Sequence, residues 1–230
     1  EQCATHYKFT REQQDAFATE SVKRAQAAVA NGVFDAEIAP VTVAGRGGET
    51  LVTTDEAPGR IKIEKIPTLK PAFAKDGTVT AASSSSISDG AAALVLMRAE
   101  TATKLGSKPI ARIVAHATHS HQPEWFTTAP IGAAQKVLAK AGWSKEDVDL
   151  WEVNEAFAVV TMAFMQELGV SHEVLNVNGG ACALGHPVGT TGARLMATLI
   201  YALQARGKKR GLAALCIGGG EATAIAIELL

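Results

Sequence analysis

The second half of the chain alternates between two hydrophobic periods, and this alternation constrains the fold more than any other feature. After Pro109, short apolar runs of β type are separated by segments whose apolar residues recur at helical spacing. The predicted strands are residues 110–117, 148–153, 175–177, 212–217 and 223–228. The predicted helices are residues 131–141, 156–168 and 190–206. We therefore predict an α/β fold, a five-stranded mixed sheet covered by helices on both faces, with the last two strands as antiparallel neighbours.

The first half carries clear start and stop signals for fewer elements. Residues 10–31 are predicted to form a helix that begins with a capping box of Thr10 and Gln13 and ends at Gly32. Residues 38–54 suggest a β-hairpin around a glycine turn. After the serine run at 83–86, we predict an alanine-rich helix over residues 89–98.

Composition excludes several classes of protein. Hydrophobic residues make up 47% and charged residues 20% of the 230, as in globular domains, and the formal net charge of −1 gives no basic field for nucleic acid. The longest strongly apolar stretch, residues 156–165, is half of the ~20 residues that a membrane span needs. Three cysteines without metal-ligand spacing favour reduced thiols. We expect a cytoplasmic protein with no membrane or nucleic-acid partner.

Three loops that follow predicted strands could carry chemistry, because ligands of open α/β sheets collect at the carboxyl ends of strands. The first holds Asn154, the second is a glycine-rich stretch with His186, and the third places Cys216 before three glycines. Each residue also has a purely structural explanation. Asn154 can cap the next helix, His186 can be a structural histidine, and Cys216 can be a buried inert thiol.

Together the three loops supply a base, an amide, a thiol and free backbone N–H donors, a set that suits acyl chemistry. A metal site at His116, His119 and His121 is an alternative, although no cysteine or carboxylate set accompanies these histidines. We predict no metal ligands.

Three segments resemble, in order and spacing, the C-terminal signatures of thiolases. They are residues 154–158 (NEAFA), 179–194 (with GHP at 185–187) and 216–220 (CIGGG). Further thiolase-like segments are residues 11–18, 37–41 and 88–93. The resemblance covers the whole chain and is greatest to the acetyl-CoA acetyltransferase subgroup. It implies a thiolase-like fold and an acyl-CoA acyltransferase that interconverts two acetyl-CoA with acetoacetyl-CoA and CoA. The substrates would be coenzyme A thioesters, without a further cofactor.

The resemblance also implies a role for each catalytic residue. Asn154 would hold a water that forms an oxyanion hole together with His186, and His186 would help to activate the nucleophilic cysteine. Cys216 would be the acid/base that removes the α-proton. The Gly218 N–H would belong to a second oxyanion hole.

The same resemblance places five residues beside coenzyme A. Ser85 and Ala81 would contact the pantetheine arm, and Phe73 would lie near the adenine. Phe126 would limit the acyl length, and Phe157 would line the tunnel.

The implied domains are three. They are residues 1–87 as the remainder of an α+β, CoA-binding loop domain, residues 88–108 as the end of the N-terminal core half, and residues 109–230 as the C-terminal domain. The family's nucleophilic cysteine lies in an N-terminal elbow that neither Cys3 nor Cys182 matches.

We therefore expect an N-terminal thiolase half as partner, assembly into a homodimer or tetramer, and no activity from these residues alone. The alternative is a non-catalytic CoA-binding or scaffold fragment.

Overall fold

The computed structural model describes residues 1–230 and contains two sheets and eight α-helices. The strands are β1 (Val41–Gly45), β2 (Gly48–Val52), β3 (Ala111–Ser120), β4 (Leu150–Val153), β5 (Arg210–Ile217) and β6 (Glu221–Leu229). The helices are α1 (Gln2–Tyr7), α2 (Arg11–Ala30), α3 (Ala57–Arg60), α4 (Ala99–Lys104), α5 (Ala129–Ala141), α6 (Ala158–Leu168), α7 (Ala181–Leu184) and α8 (Thr191–Ala205). Short 3₁₀ helices lie at Ile63–Thr68, Pro123–Trp125, Lys145–Asp147 and His172–Val174. No helix has both the length and the apolar character needed to cross a bilayer.

The main sheet has the order β3-β6-β5-β4, and it is mixed. β6 runs antiparallel to both β3 and β5, whereas β4 and β5 are parallel. Helices α5 and α6 cover the face that carries Trp151 and Leu212. Helix α8 covers the opposite face, where Leu199 packs with Leu150 and Ile227. The α/β class, the helices on both faces and the antiparallel last pair are confirmed.

The predicted fifth strand is reduced to one residue, so the sheet has four strands rather than five. Leu175 forms a single parallel bridge to Trp151, and the next residue, Asn176, has a φ of 47° that takes the chain away from the sheet. The Asn176 amide then takes the place of a strand backbone. Its Oδ1 accepts from the N–H of Val153 and its Nδ2 donates to the carbonyl of Val153, both at 2.8 Å. Because the Asn176 side chain satisfies the backbone N–H and C=O of Val153, these groups need no hydrogen bonds from a neighbouring strand.

The predicted helix over residues 89–98 is wrong. This segment has no regular secondary structure, and the next helix, α4, begins only at Ala99. The segment is apolar at four successive positions, 94–97, which suits a strand buried on both faces better than an amphipathic helix. Val95 is 87% exposed and Leu96 is 66% exposed, so nothing in this chain covers the run.

The first-half predictions of helix and hairpin are confirmed. Helix α2 starts with the expected capping box of Thr10 and Gln13, and Gly32 just beyond its end has a φ of 66°. Strands β1 and β2 form an antiparallel hairpin. Helix α2 packs against the second half of the chain, where Arg24 donates to the carbonyls of His172 and Leu175 at 2.8 and 2.9 Å.

A buried acidic group lies below α8. Glu152 is 1% exposed, and burial raises its pKa to about 8 even though the Arg194 guanidinium is 3.8 Å away. Burial likewise raises the pKa of Glu37 to about 7, against a hydrogen bond from Thr198. Neither Glu152 oxygen has a hydrogen-bond partner, so the desolvation cost outweighs the attraction of the distant arginine.

We expect Glu152 and Glu37 to make the free energy of unfolding fall as the pH rises. A carboxyl with a raised folded-state pKa contributes stability that is present below its unfolded value near 4.3 and is lost as pH rises through about 7 to 8. The Glu152→Gln variant should show a weaker decrease, by on the order of 1–3 kcal/mol between pH 5 and pH 9. Urea unfolding at several pH values measures this. Exposed Glu100→Gln is the control, and equal pH slopes for wild type and Glu152→Gln would contradict the prediction.

Candidate active site

The carboxyl ends of the parallel strands β4 and β5 lie at one edge of the main sheet. Asn154 directly follows β4, and its backbone N–H donates to the carbonyl of Ala214 in β5 at 2.9 Å. Cys216 lies two residues further along β5. The first and third candidate loops therefore meet at the edge where open α/β sheets bind ligands.

The serine segment 83–88 joins the second loop to this edge. The N–H of Ser85 donates to the carbonyl of Ala156 at 3.1 Å, beside the Asn154 loop. One residue later, the carbonyl of Ser86 accepts from the N–H of His186 at 2.8 Å. The Asn154 loop and the His186 loop are thus both bonded to this one segment.

The Asn154 side chain is fully buried, and it does not cap a helix. Helix α6 begins four residues later at Ala158, and its cap residue is Phe157, which makes no side-chain capping bond. Neither Oδ1 nor Nδ2 of Asn154 has a hydrogen-bond partner in the protein. Because a buried amide without partners is costly, this one is expected to serve a ligand or an ordered water.

A short chain of hydrogen bonds sets the tautomer of His186. The Thr191 hydroxyl donates to the carbonyl of Pro187 at 3.0 Å, so its oxygen is left to accept from His186 Nδ1–H at 2.6 Å. The neutral imidazole therefore presents its lone pair at Nε2. Burial, helped by the nearby Arg194 charge, lowers the pKa of His186, which keeps the ring neutral and able to accept a proton near neutral pH.

Cys216 is a buried thiol at the end of β5. It is 8% exposed, and burial raises its pKa to about 11, so it holds its proton at neutral pH. The following turn, Gly218 to Gly220, connects β5 to β6, and no atom lies within 4 Å of where a Cβ on Gly218 would be. A ligand can therefore approach the backbone of Gly218 closely.

The other two cysteines are packed in the interior. Cys3 donates weakly to the carbonyl of Val159 at 3.7 Å, and burial raises its pKa. Cys182 is fully enclosed beside Glu155, and burial raises its pKa well above the ordinary value. A high pKa leaves little thiolate, so neither thiol has the environment of an activated nucleophile.

The five residues expected beside coenzyme A fall into two groups. Ala81 lines a cavity of about 330 Å³ that also has cationic side chains. Its other lining residues are Arg60, Ile61, Lys62, Lys65, Ile66, Leu69 and Ala82. The other four residues do not line this cavity. The Ser85 hydroxyl donates to the carbonyl of Ala156 at 3.1 Å, so its oxygen is left as an acceptor for a ligand.

Three phenylalanines, one exposed and two half-buried, form a row. Phe73 is exposed, and its ring centre lies 5.6 Å from that of Phe157 in an edge-on contact. Phe126 continues the row, 6.3 Å from Phe157. Aromatic rings in such a row offer an apolar wall to an extended ligand.

Sequence reasoning missed Glu155, the neighbour of Asn154. Its carboxylate is fully buried and accepts three hydrogen bonds, from the Ser21 hydroxyl at 2.7 Å, the Asn176 amide at 2.8 Å and the Cys182 N–H at 3.0 Å. All three donors are at least 21 residues away in sequence. The only local signal was a charged residue at the start of a strongly apolar helix segment.

The glycines beside Glu155 are required by close packing. A Cβ at Gly180 would lie 2.3 Å from the Glu155 carboxyl carbon, and Gly179 has a φ of 81° with the Ser21 carbonyl 2.5 Å from its Cβ position. We expect Gly180→Ala to destabilise the fold by about 3 kcal/mol or more, since backbone or carboxylate must shift. Gly189→Ala, in the same loop with open space around it, should change the free energy of unfolding by about 0.5 kcal/mol at most. Urea unfolding of both variants checks this, and equal losses would refute it.

The three histidines considered as a metal site do not act together. Alternation along β3 places His116 on the opposite face from His119, and His121 bonds the Trp125 carbonyl at 2.7 Å through Nε2. No group of three His, Cys, Asp or Glu side chains converges as metal ligands.

Two family models together match nearly the whole chain. The model described as "Thiolase, N-terminal domain" matches residues 1–100, and the one described as "Thiolase, C-terminal domain" matches residues 107–229. Among curated proteins, the probable acetyl-CoA acetyltransferase of Dictyostelium discoideum is 50% identical over 99% of this chain and 55% of its own length. The acetyl-CoA acetyltransferase of Thiocystis violacea is 49% identical over 100% of this chain and 59% of its own length.

Solved structures give the same result. The acetyl-CoA acetyltransferase of Bacillus anthracis superposes with a TM-score of 0.96 at 44% identity, covering 100% of this chain and 58% of that one. The Acat5 thiolase from Ascaris suum in complex with coenzyme A superposes with a TM-score of 0.89 at 42% identity, covering 99% and 58%. The chain thus spans less than two thirds of the length of these relatives. It belongs to the thiolase family, in the acetyl-CoA acetyltransferase subgroup.

Proposed function

We propose that this chain supplies the oxyanion-forming and proton-transferring part of an acyl-CoA acyltransferase. The enzyme interconverts two acetyl-CoA with acetoacetyl-CoA and CoA. The observation that carries the proposal is the fully buried Asn154 amide without a protein partner, at the sheet edge that it shares with Cys216. An α-proton of acetyl-CoA is weakly acidic, so its removal needs preorganised donors for the thioester oxygen.

His186 acts first in this proposal. Its Nε2 takes the proton of the nucleophilic thiol, and the thiolate attacks the acetyl-CoA carbonyl with formation of an enzyme thioester. The CoA thiolate leaves and takes the proton of Cys216. The new Nε2–H of His186 then donates to the thioester oxygen of a second acetyl-CoA, together with a water held by Asn154.

Cys216 acts second. Its thiolate removes the α-proton of the second acetyl-CoA, and the resulting enolate attacks the acetyl group on the enzyme. The Gly218 N–H stabilises the oxyanion of that intermediate. A carbon–carbon bond forms, the enzyme thiolate leaves, and it recovers the proton from His186. The reverse sequence is thiolysis.

Coenzyme A would lie along the surface from the basic cavity to the phenylalanine row. Arg60, Lys62 and Lys65 suit its phosphates, and Ala81 and Ser85 suit the pantetheine arm. Phe73 would contact the adenine, while Phe157 and Phe126 would line the acyl end and keep it short. The known structure of a relative with coenzyme A supports this class of ligand.

We propose that the nucleophile is a cysteine outside these 230 residues, in an N-terminal thiolase half. The buried settings of Cys3 and Cys182 support this, as does the length of the relatives. The uncovered apolar run at 94–97 is the surface that such a half would cover. We further propose a homodimeric or tetrameric enzyme in the cytoplasm, where its free thiols stay reduced.

Intact mass before and after incubation with acetyl-CoA tests the proposal, on the protein produced from its whole gene. We expect an acetyl group on a cysteine outside residues 1–230, and cleavage of acetoacetyl-CoA in the presence of CoA. A protein that binds CoA but gains no acetyl group and cleaves nothing would instead be the non-catalytic CoA-binding fragment. A protein that does not bind CoA would overturn both.

A further inference from the structure

Every partner of the Glu155 carboxylate is a donor, and other hydrogen bonds or the backbone fix the direction in which each one donates. The Ser21 oxygen accepts from the Gly180 N–H at 3.0 Å, so its own hydrogen points at Glu155. The Asn176 amide is oriented by the N–H and C=O of Val153, so Nδ2 is the atom that faces Glu155. The two carboxylate oxygens accept all three of these bonds. A glutamine in either orientation sets two donors against each other.

The network ties two parts of the candidate site to each other. Glu155 is the residue after Asn154, and its carboxylate holds the backbone of Cys182 in α7 at 3.0 Å. Helix α7 ends one residue before Gly185, which leads directly into His186. One buried side chain therefore fixes both the start of the Asn154 loop and the start of the His186 loop.

The same carboxylate couples the site to helix α2. Ser21 lies on the buried side of α2 and bridges Glu155 to the Gly180 N–H. Gly179 and Gly180 leave no room for side chains between these groups. The spacing of the two loops is therefore set by a closed arrangement of charge-assisted hydrogen bonds.

We infer that Glu155 is a positioning residue that keeps Asn154 and His186 at the separation needed to share one thioester oxygen. This inference rests on the proposed function for its catalytic meaning, but the geometry that it assigns can be measured without activity. Glu155 touches no substrate and acts only through the positions of Asn154 and His186.

The test compares Glu155→Gln with Gln14→Met, a control variant on helix α2, which also carries the Glu155 partner Ser21. Gln14→Met removes a fully buried polar group of α2 that donates to the Phe9 carbonyl and the Thr78 hydroxyl, remote from the site. Ser21→Ala is a milder variant that deletes one of the three donors, in case Glu155→Gln does not fold. Thermal unfolding establishes that the variants compared are folded.

Nitrogen-15 NMR of the protein follows the His186 imidazole and the Asn154 side-chain amide. We expect Glu155→Gln, and to a smaller extent Ser21→Ala, to shift both signals and the His186 titration, while Gln14→Met leaves them in place. With acetoacetyl-CoA and CoA, Glu155→Gln should lower kcat by about 100-fold, as for a displacement of ~1 Å, with KM changed less than about twofold. Gln14→Met should keep kcat.

Two results would overturn the inference. In one, the His186 and Asn154 signals of Glu155→Gln and Ser21→Ala stay where they are in wild type. In the other, Gln14→Met moves them as much, which would make the effect one of general destabilisation. A wild-type protein without thiolysis activity would instead refute the proposed function, and the NMR comparison would still decide the role of Glu155.

Discussion

Replacing His186 by alanine is expected to lower kcat for acetoacetyl-CoA thiolysis by about a thousandfold. The substitution removes both the base at Nε2 and the donor that the protonated ring then offers to the thioester oxygen. Each of these functions typically contributes 10² to 10⁴-fold in rate. The variant should also fail to gain an acetyl group from acetyl-CoA, because its nucleophile is not activated. Spectrophotometric thiolysis and intact mass measure the two effects.

The control for this variant is His116→Ala, which removes an exposed histidine on β3. It should keep the wild-type kcat. The pH dependence of the wild type adds a second check. Burial and the Arg194 charge lower the pKa of His186. The apparent pKa of the acid limb of the kcat/KM profile should therefore lie below the ordinary histidine pKa near 6.5. An acid limb above that value, or a His186→Ala variant with wild-type kcat, would contradict the assignment.

Replacing Cys216 by serine is expected to abolish condensation while leaving the first half-reaction intact. A serine hydroxyl is far too weak an acid to be ionised here, so kcat for formation of acetoacetyl-CoA should fall by about 10³ to 10⁴-fold. The acetyl group should still be transferred to the nucleophile, since CoA is a good leaving group without help. Intact mass should therefore show an acetyl-enzyme that accumulates.

In the proposed mechanism Cys216 must pass its proton to a bound acceptor, because burial raises the pKa of its thiol to about 11. At pH 8, direct ionisation would leave only about one thiolate in a thousand. Transfer of its proton to the departing CoA thiolate avoids this loss. Cys3→Ser, which changes another buried thiol, is the control and should keep kcat within about twofold. A Cys216→Ser variant that condenses acetyl-CoA normally would remove Cys216 from the mechanism.

The sequence predicted the parts of the fold that local patterns control. The Thr10 and Gln13 capping box and the Gly45–Gly48 turn depend on neighbouring residues only, and both occur as expected. Strand and helix periods likewise placed the sheet and its two helical layers. The three candidate loops were predicted from motifs, and the structure places those of Asn154 and Cys216 at one sheet edge, with the serine segment linking the His186 loop to the Asn154 loop.

The predictions that were wrong or incomplete depend on contacts between residues far apart in sequence. The fifth strand ends at Leu175 because the Asn176 side chain bonds the Val153 backbone, a substitution that no periodicity signals. The run at 94–97 was assigned to a helix although nothing in the chain packs on it. Glu155 was missed because its donors Ser21, Asn176 and Cys182 all lie far from it in sequence and carry no charge.

The uncovered run at 94–97 has a consequence for how the protein must be made. Four consecutive, mostly exposed apolar residues that lie outside any helix or strand can pair with any similar strand. During synthesis this run leaves the ribosome before β3 to β6 have formed. Correct assembly is then in kinetic competition with aggregation, and the outcome depends on protein concentration. Slow synthesis at low temperature, or joint production with a covering partner, should therefore raise the yield more than any change of buffer.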